Sequence, residues 1–449
     1  MYKAGKLVKF LLIKPPFRNY MNAVHSTIAH PVTDILEKFR HTRQMTEDIC
    51  KPLAIEDYLP QPMVDVSPPK WHLAHTTWFF ETFLLSRFIP GYTPFHPDYN
   101  FLFNSYYNNV GARTARNHRG FLSRPTVNEI YDYRAYVNEQ MNRLENYITS
   151  ADERECVELL EIGCNHEQQH QELLVTDLKY ILSCNYIRPV YHTPVFPAVH
   201  PEQAVKTVFL PVEEGIYEIG HKGNDFCFDN ELGVHKVFLN AFHIQNKLVT
   251  NGEYLEFVEA GGYTDFRHWL SEGWELVKTE QWQHPLYWEN RDGEWYEFSL
   301  HGDIKLDKQA PVCHISFFEA AAYAAWAGKR LPTEFEWEIA ARKYNPALQT
   351  ENSQDKMLFH PLKAKKDDGL LCHQLFGEMW QWTNSAYLSY PGFSIAPGAL
   401  GEYNGKFMMN QMVLRGSSCA TPYNHMRHTY RNFFPPNAQW QFAGIRLAE

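Results

Sequence analysis

Residues 163–174 read GCNHEQQHQELL, and the two histidines in this run, His166 and His170, stand four apart. On a helix that spacing brings both imidazoles to one side, about a turn apart, where a single metal ion can take both nitrogens. Glu172 lies about 200° round the helix from His170, at roughly 100° per residue. It therefore belongs to another face, and support for a ligand or a salt bridge is its expected role. The segment is set apart from the His-Glu-x-x-His site of zinc proteases. A third donor has to come from another helix. The run 71–81, WHLAHTTWFFE, offers His72 and His75 on an apolar side with Trp71, Trp78, Phe79 and Leu85, and geometry alone favours neither strongly. Three imidazoles suit iron, copper or zinc and do not choose among them.

The elements that must position these residues are helical. Apolar residues recur at helical spacing over 32–50, and 68–89 reads as a helix that opens on prolines after Ser67 and stops before Pro90-Gly91. Thr126 and Glu129 have capping-box spacing ahead of YDYRAYVNEQMNRLENYI, and a fourth helical run covers 152–183. Four amphipathic segments predict a helical bundle, whose interior is a common place for a metal site. The long irregular connection 90–125, rich in Tyr, Asn and Arg, points to a functional loop.

Five prolines fall between 189 and 211, and beyond them the texture changes. Strand-like pieces such as KTVFLP and HKVFLNAFHI alternate with Gly-, Asn- and Trp-rich loops, and short helices are expected at 251–260, 316–327 and 333–342. Ser316/Glu319 and Thr333/Glu336 have capping-box spacing. The pattern reads as compact α+β with much ordered loop. The chain thus divides into a helical domain over 1–188, a proline-rich crossover over 189–207 and an α+β domain over 208–449.

Composition narrows the function further. A formal net charge of -10 over 449 residues gives no electrostatic reason to bind nucleic acid. No apolar run reaches the ~20 residues of a membrane span. The opening MYKAGKLVKFLLIKPPFRNY is broken by Lys9 and Lys14 and lacks a clean small-residue cleavage site, which argues against export. The eight cysteines are scattered with no close pair, as expected of cytoplasmic thiols.

Five segments carry a specific resemblance: PPKWHLAHTTWFFE, GCNHEQQHQE, WQWTNSAYLSYPGF, GEYNGKFMMNQMVLRGSS and HMRHTYRNFFPPNAQWQFAGIRLA. Together they closely resemble the sulfoxide synthases of ergothioneine biosynthesis, over residues from about 30 to 449. The resemblance implies a DinB-like four-helix bundle joined to a domain of the formylglycine-generating-enzyme, C-type-lectin-like fold. It also implies ferrous iron on His75, His166 and His170, which decides between His72 and His75. The implied reaction couples a thiol to C2 of the trimethylhistidine (hercynine) imidazole with dioxygen and leaves a sulfoxide.

Further roles follow from the resemblance, residue by residue. Tyr106 is the expected proton donor and Tyr107 its neighbour shaping the pocket. Arg116 matches the binder of the thiol substrate's carboxylate, with Arg119 on the same loop as a second candidate. Gln169 matches a residue that holds the substrate imidazole, and Asn432 one that holds the amino-acid end of hercynine. Members that take γ-glutamylcysteine carry Trp, Asp and Arg where this chain has Phe433, Phe434 and Ala438. Free cysteine is therefore the expected thiol, unless Arg427 or Arg431 supplies the missing charge. Formylglycine-generating enzymes use two close cysteines near the C-terminus, whereas Cys419 stands alone here, so that activity is not expected. The competing readings are coupling to γ-glutamylcysteine, ovothiol-type synthesis of 5-histidylcysteine sulfoxide, and a metal-free DinB-like adaptor.

Overall fold

The computed structural model describes residues 32–105, 114–193, 205–366, 369–394 and 405–449. Tyr106 and Tyr107 lie outside the described residues, as does part of the 189–207 crossover. The N-terminal region is a helical bundle whose longest helices among the described residues are α1 (Val32–Cys50), α2 (Pro69–Phe80), α3 (Val127–Met141) and α4 (Glu153–Ser183). The capping box at α3 forms, with Glu129 N–H donating to Thr126 Oγ1 at 3.3 Å and Thr126 N–H to the Glu129 carboxylate at 2.7 Å. The helix expected to run on past Met141 breaks there, and Leu144–Tyr147 forms a separate 3-10 turn.

The helix expected over 68–89 is not uniform either. After Phe80 it widens into a π-turn, Glu81–Leu85, before one last α-turn, Ser86–Phe88. Glu81 sits at this widening and is buried; its carboxylate accepts from Tyr133 Oη at 2.7 Å, Tyr92 Oη at 2.9 Å and the Phe95 amide at 2.9 Å. One acid thus ties α2 to α3 and to the start of the long loop. Helices α2 and α4 approach at Gly163, where a Cβ would meet Phe80 Cε1 at 2.6 Å. Only a residue without a side chain permits that spacing.

The C-terminal region is a mixed α/β domain. Its strands are β1 (Phe209–Val212), β2 (Gly215–Ile219), β3 (His235–Leu239), β4 (Phe242–Gln245), β5 (Trp288–Arg291), β6 (Glu294–Ser299), β7 (Gly302–Lys305), β8 (Met379–Ala386), β9 (Met412–Ser417), β10 (Asn432–Phe434) and β11 (Ala443–Gly444). The central sheet has the order β10-β9-β8-β11, with β8 and β11 parallel and its other pairs antiparallel. Smaller ladders join β1 to β4, β2 to β3, and β5-β6-β7. Helices α5 (Asn251–Glu259), α7 (Phe317–Trp326) and α8 (Glu334–Tyr344) fall where expected, and both anticipated capping boxes form. Helix α6 (Ser271–Thr279) was not anticipated; it follows Leu270, which offers no side-chain cap.

The main apolar core does not stop at the bundle. Phe298, Leu300, Cys313, Phe359, Met379, Cys419, Ala420 and Phe442 of the second region belong to the same buried cluster as Phe39, Trp78, Phe80 and Leu160. A separate core lies within the second region, around Trp288, Trp380, Trp382 and Ile445.

Candidate metal centre

Helix α4 presents His166 and His170 one turn apart, and α2 presents His75 opposite them. One nitrogen from each of the three lies within 4.8 Å of the others. Ring centroids are 5.1 Å apart for His75 and His166, 4.8 Å for His75 and His170, and 4.7 Å for His166 and His170. All three are buried, at 1%, 4% and 9% exposure respectively. Burial pushes each below the ordinary imidazole value, His166 to about 4, and mutual repulsion adds to the effect for His75 and His170. The rings are therefore neutral near pH 7, the state a metal ligand requires.

The rings are also held in place. His75 Nδ1 lies 2.6 Å from the Phe103 carbonyl, which can only accept, so Nδ1 carries the proton and Nε2 is left for a metal. Its ring is stacked between Trp71 at 4.5 Å and Trp78 at 5.5 Å. His72 stands outside the cluster, with Nδ1 3.0 Å from His170 Nδ1 and Nε2 3.0 Å from Asp177 Oδ2. The donor set, three neutral imidazoles and no charged ligand, fits a divalent iron, copper or zinc ion.

Two points of the sequence reading need correction. Glu167 is followed by two residues and then His170, so the segment does spell His-Glu-x-x-His. What separates it from a protease is the position of the acid. Glu167 is fully buried and clasped by Arg43 at 2.9 Å, Arg134 at 3.1 Å and Thr46 Oγ1 at 2.7 Å. Burial alone would raise its pKa, yet the two guanidinium charges hold it below the usual carboxylate value. It is a scaffold anion with no path to a substrate. Glu172 has neither of its expected roles. Lying away from the histidine face, it reaches into the second region and accepts from Trp380 Nε1 at 2.6 Å, Thr421 Oγ1 at 2.7 Å and Ser418 Oγ. Its carboxyl, raised by burial, joins the two regions through neutral donors.

One cavity opens on the cluster and a second shares part of its wall. The first, about 70 Å³, is lined by the three histidines with Trp71, Arg116 and Arg119. The other, about 220 Å³, lies between the bundle and the second region and is lined by Gln169, Tyr430, Asn432, Phe433, Phe434 and Trp440 among others. Asp65, Arg116 and Leu173 belong to both walls. Arg116 donates to the Asp65 carbonyl at 2.7 Å, and its side chain is 39% exposed. Arg119 is buried, donates to Ser67 Oγ and Ser105 Oγ at 2.8 Å each, and lies 3.4 Å from the Trp71 ring centre. Gln169 donates to Tyr430 Oη at 2.6 Å, and Asn432 accepts from the Phe433 amide at 2.9 Å. Phe433 stacks on Tyr387 at 4.1 Å.

Arg427 and Arg431 are each held by a carboxylate, although Arg431 also lines the larger cavity. Arg427 is paired with Glu231 at 2.8 Å, and Arg431 with Glu334 at 2.8 Å and with the Asn230 and Leu388 carbonyls. Sequence reasoning missed Asp177, Trp440, Trp380, Ser418 and Thr421. Only Asp177 left a signal: it follows His170 by seven residues, the same side of a helix.

Residues 195–449 match the sulfatase-modifying factor enzyme 1-like domain, and residues 38–174 match the DinB superfamily. The hercynine oxygenase of Mycobacterium tuberculosis is 32% identical over 303 residues, covering 63% of this chain and 69% of that protein. The hercynine oxygenase of Mycolicibacterium smegmatis is likewise 32% identical over 307 residues, covering 63% of this chain and 70% of that protein. A formylglycine-generating enzyme of Streptomyces coelicolor is 38% identical over 158 residues, 32% of this chain and 50% of that protein. At this identity and coverage, the chain belongs to the hercynine oxygenase family.

Proposed function

We propose that this chain joins the sulfur of free cysteine to C2 of the hercynine imidazole, using ferrous iron and dioxygen, and leaves the sulfur as a sulfoxide. The observation that carries this reading is the cluster of three buried, neutral imidazoles opening on a cavity in a member of that family. Ferrous iron, when held by His75, His166 and His170, would supply the redox chemistry of the coupling.

The chain's own residues do the rest. Arg116, in the wall common to both cavities, is assigned to the thiol's carboxylate, which a guanidinium can clamp through two hydrogen bonds. Arg119 holds Trp71 against His75 and so shapes the thiol side of the pocket. Gln169 is assigned to the hercynine imidazole and Asn432 to its amino-acid end; both line the larger cavity. Tyr106 as proton donor and Tyr107 as pocket wall rest on the family resemblance alone. Free cysteine is favoured over γ-glutamylcysteine because Phe434 and Trp440 line the cavity while Arg427 and Arg431 are each held by a buried carboxylate. A glutamyl extension would bury charges there without partners.

The same reading takes the bundle as the DinB-like four-helix type and the second region as the formylglycine-generating-enzyme, C-type-lectin-like fold, with the join in 189–207. The four long helices support the first part. Eight free thiols support a cytoplasmic setting, and no described helix is long and apolar enough to cross a membrane.

The test supplies Fe(II), oxygen, hercynine and either cysteine or γ-glutamylcysteine, and identifies products by mass and by the position of the new C–S bond. The hercynyl-cysteine sulfoxide is expected. No C–S product with either thiol would sink the assignment, whereas preference for γ-glutamylcysteine would overturn only the choice of thiol.

A further inference from the structure

We infer that His170 is set as a metal ligand from the second region of the chain, through a hydrogen-bonded relay that runs Trp440, Asp177, His72, His170. The inference rests on the metal reading of the histidine cluster and goes beyond it by assigning His72, Asp177 and Trp440 as positioning residues.

The proton positions follow from groups that can act in only one way. The Ser67 amide and the Trp440 indole N–H can only donate. They lie 2.8 Å from Asp177 Oδ2 and 3.0 Å from Asp177 Oδ1, so both carboxylate oxygens accept. His72 Nε2, 3.0 Å from Asp177 Oδ2, must then carry its proton. In a neutral ring that leaves His72 Nδ1 as a lone pair, and its neighbour at 3.0 Å is His170 Nδ1. His170 therefore donates from Nδ1, and Nε2 alone remains to face a metal. His72 and Asp177 are each 2% exposed, so water does not compete for these bonds.

His75 reaches the same state by a shorter route, through the Phe103 carbonyl of the bundle itself. His170 differs because its proton position depends on a residue more than 260 positions later in the chain. Trp440 is itself held from two sides. Its carbonyl lies 3.1 Å from His314 Nδ1, and His314 Nε2 lies 2.8 Å from Lys179 Nζ, two residues beyond Asp177 on α4. Helix α4 thus grips this segment both beside the indole and behind the backbone. A carboxylate acting through a histidine makes the outer ligand more basic and fixes its ring plane, and losing such support typically costs roughly 10–100-fold in metal affinity.

The experiment uses the full chain, metal-free, with Co(II) as an oxygen-stable probe titrated by calorimetry. The His170 tautomer is read by long-range proton–nitrogen NMR on histidine-labelled protein, with the signal assigned through His170→Ala. The wild type is expected to show only the Nδ1–H form. His72→Phe should mix the tautomers and weaken Co(II) binding by roughly 10–100-fold. His72→Asn, whose amide oxygen can still accept from His170, should recover most of that loss, which a purely structural role for the ring would not predict. Trp440→Phe, which keeps an aromatic ring but lacks the indole N–H, should weaken binding several-fold. An unchanged tautomer and affinity in His72→Phe, or an Nε2–H form in the wild type, would overturn the relay. A wild-type chain that takes up no Co(II) would count against the metal site, while the tautomer measurement would still decide the relay.

Discussion

The helical bundle and the second region treat buried charge differently. In the bundle, α4 carries Glu167 between Arg43 and Arg134 on one side, and the neutral His166 and His170 on the other. In the second region three buried acids stand in arginine pairs, Glu338 with Arg415, Glu334 with Arg431, and Glu231 with Arg427, while Glu319 and Glu378 accept from neutral donors. In both, these paired charges consolidate the scaffold, while the cavity walls carry imidazoles, Gln169, Asn432, Tyr430 and Trp440 together with charged side chains such as Arg116, Arg119 and Arg431. The comparison isolates Arg116, a cation of the shared wall whose side chain is 39% exposed and whose ion pair, with Asp65, is long at 3.5 Å. A substrate carboxylate can displace so loose a partner.

The largest effect expected from this division is at the neutral face. His166→Ala should lose stoichiometric iron and all detectable C–S product, read by metal analysis and mass spectrometry, while the bundle keeps its helical circular dichroism. On the charged face the loss should appear in stability instead. Glu167→Ala leaves two buried guanidinium groups without their anion and should cost about 3–5 kcal/mol in denaturant unfolding. If the second region's pairs serve the same end, Glu334→Ala should cost a comparable amount; a negligible change there would break the parallel.

The metal-free protein should also lose stability as pH falls. His166 titrates near 4 when folded and near 6.5 when unfolded, so the unfolded chain binds the extra proton between those values. Stability is thus fully present above pH 6.5 and declines toward pH 4, by about 3 kcal/mol for this residue at roughly 1.4 kcal/mol per unit. A His166→Asn variant should show a shallower slope in that window. The smallest effect belongs to Arg116→Gln. It should raise KM for the thiol about tenfold, in line with ~1.5 kcal/mol for a charged hydrogen bond, with kcat largely kept. A fall in kcat at constant KM would move Arg116 from binding to chemistry.

Much of this arrangement is legible in the sequence where the signal is local. The i, i+4 pair His166/His170 and the capping boxes at Thr126, Ser316 and Thr333 depend on neighbours a few residues away, and each forms. Helix α6 escaped because Leu270 offers no capping side chain. The π-turn escaped because its cause lies elsewhere: Glu81 is drawn inward by Tyr92, Phe95 and Tyr133. Spacing alone does not separate His72 from His75, three apart on the same helix, and the resemblance does; physically they differ in what stands behind each ring, Asp177 in one case and the Phe103 carbonyl in the other.

The core that runs from Phe39 and Trp78 into Phe298, Met379 and Phe442 bears on how such a protein can be taken apart. Cutting the chain near the crossover would not release two finished modules. It would uncover one continuous oily seam on each piece and leave Glu172 and Asp177 without their indole donors. The bundle, though it holds all three ligands of the cluster, is in that sense half of an object, and the other half supplies the far wall of the larger cavity beside it.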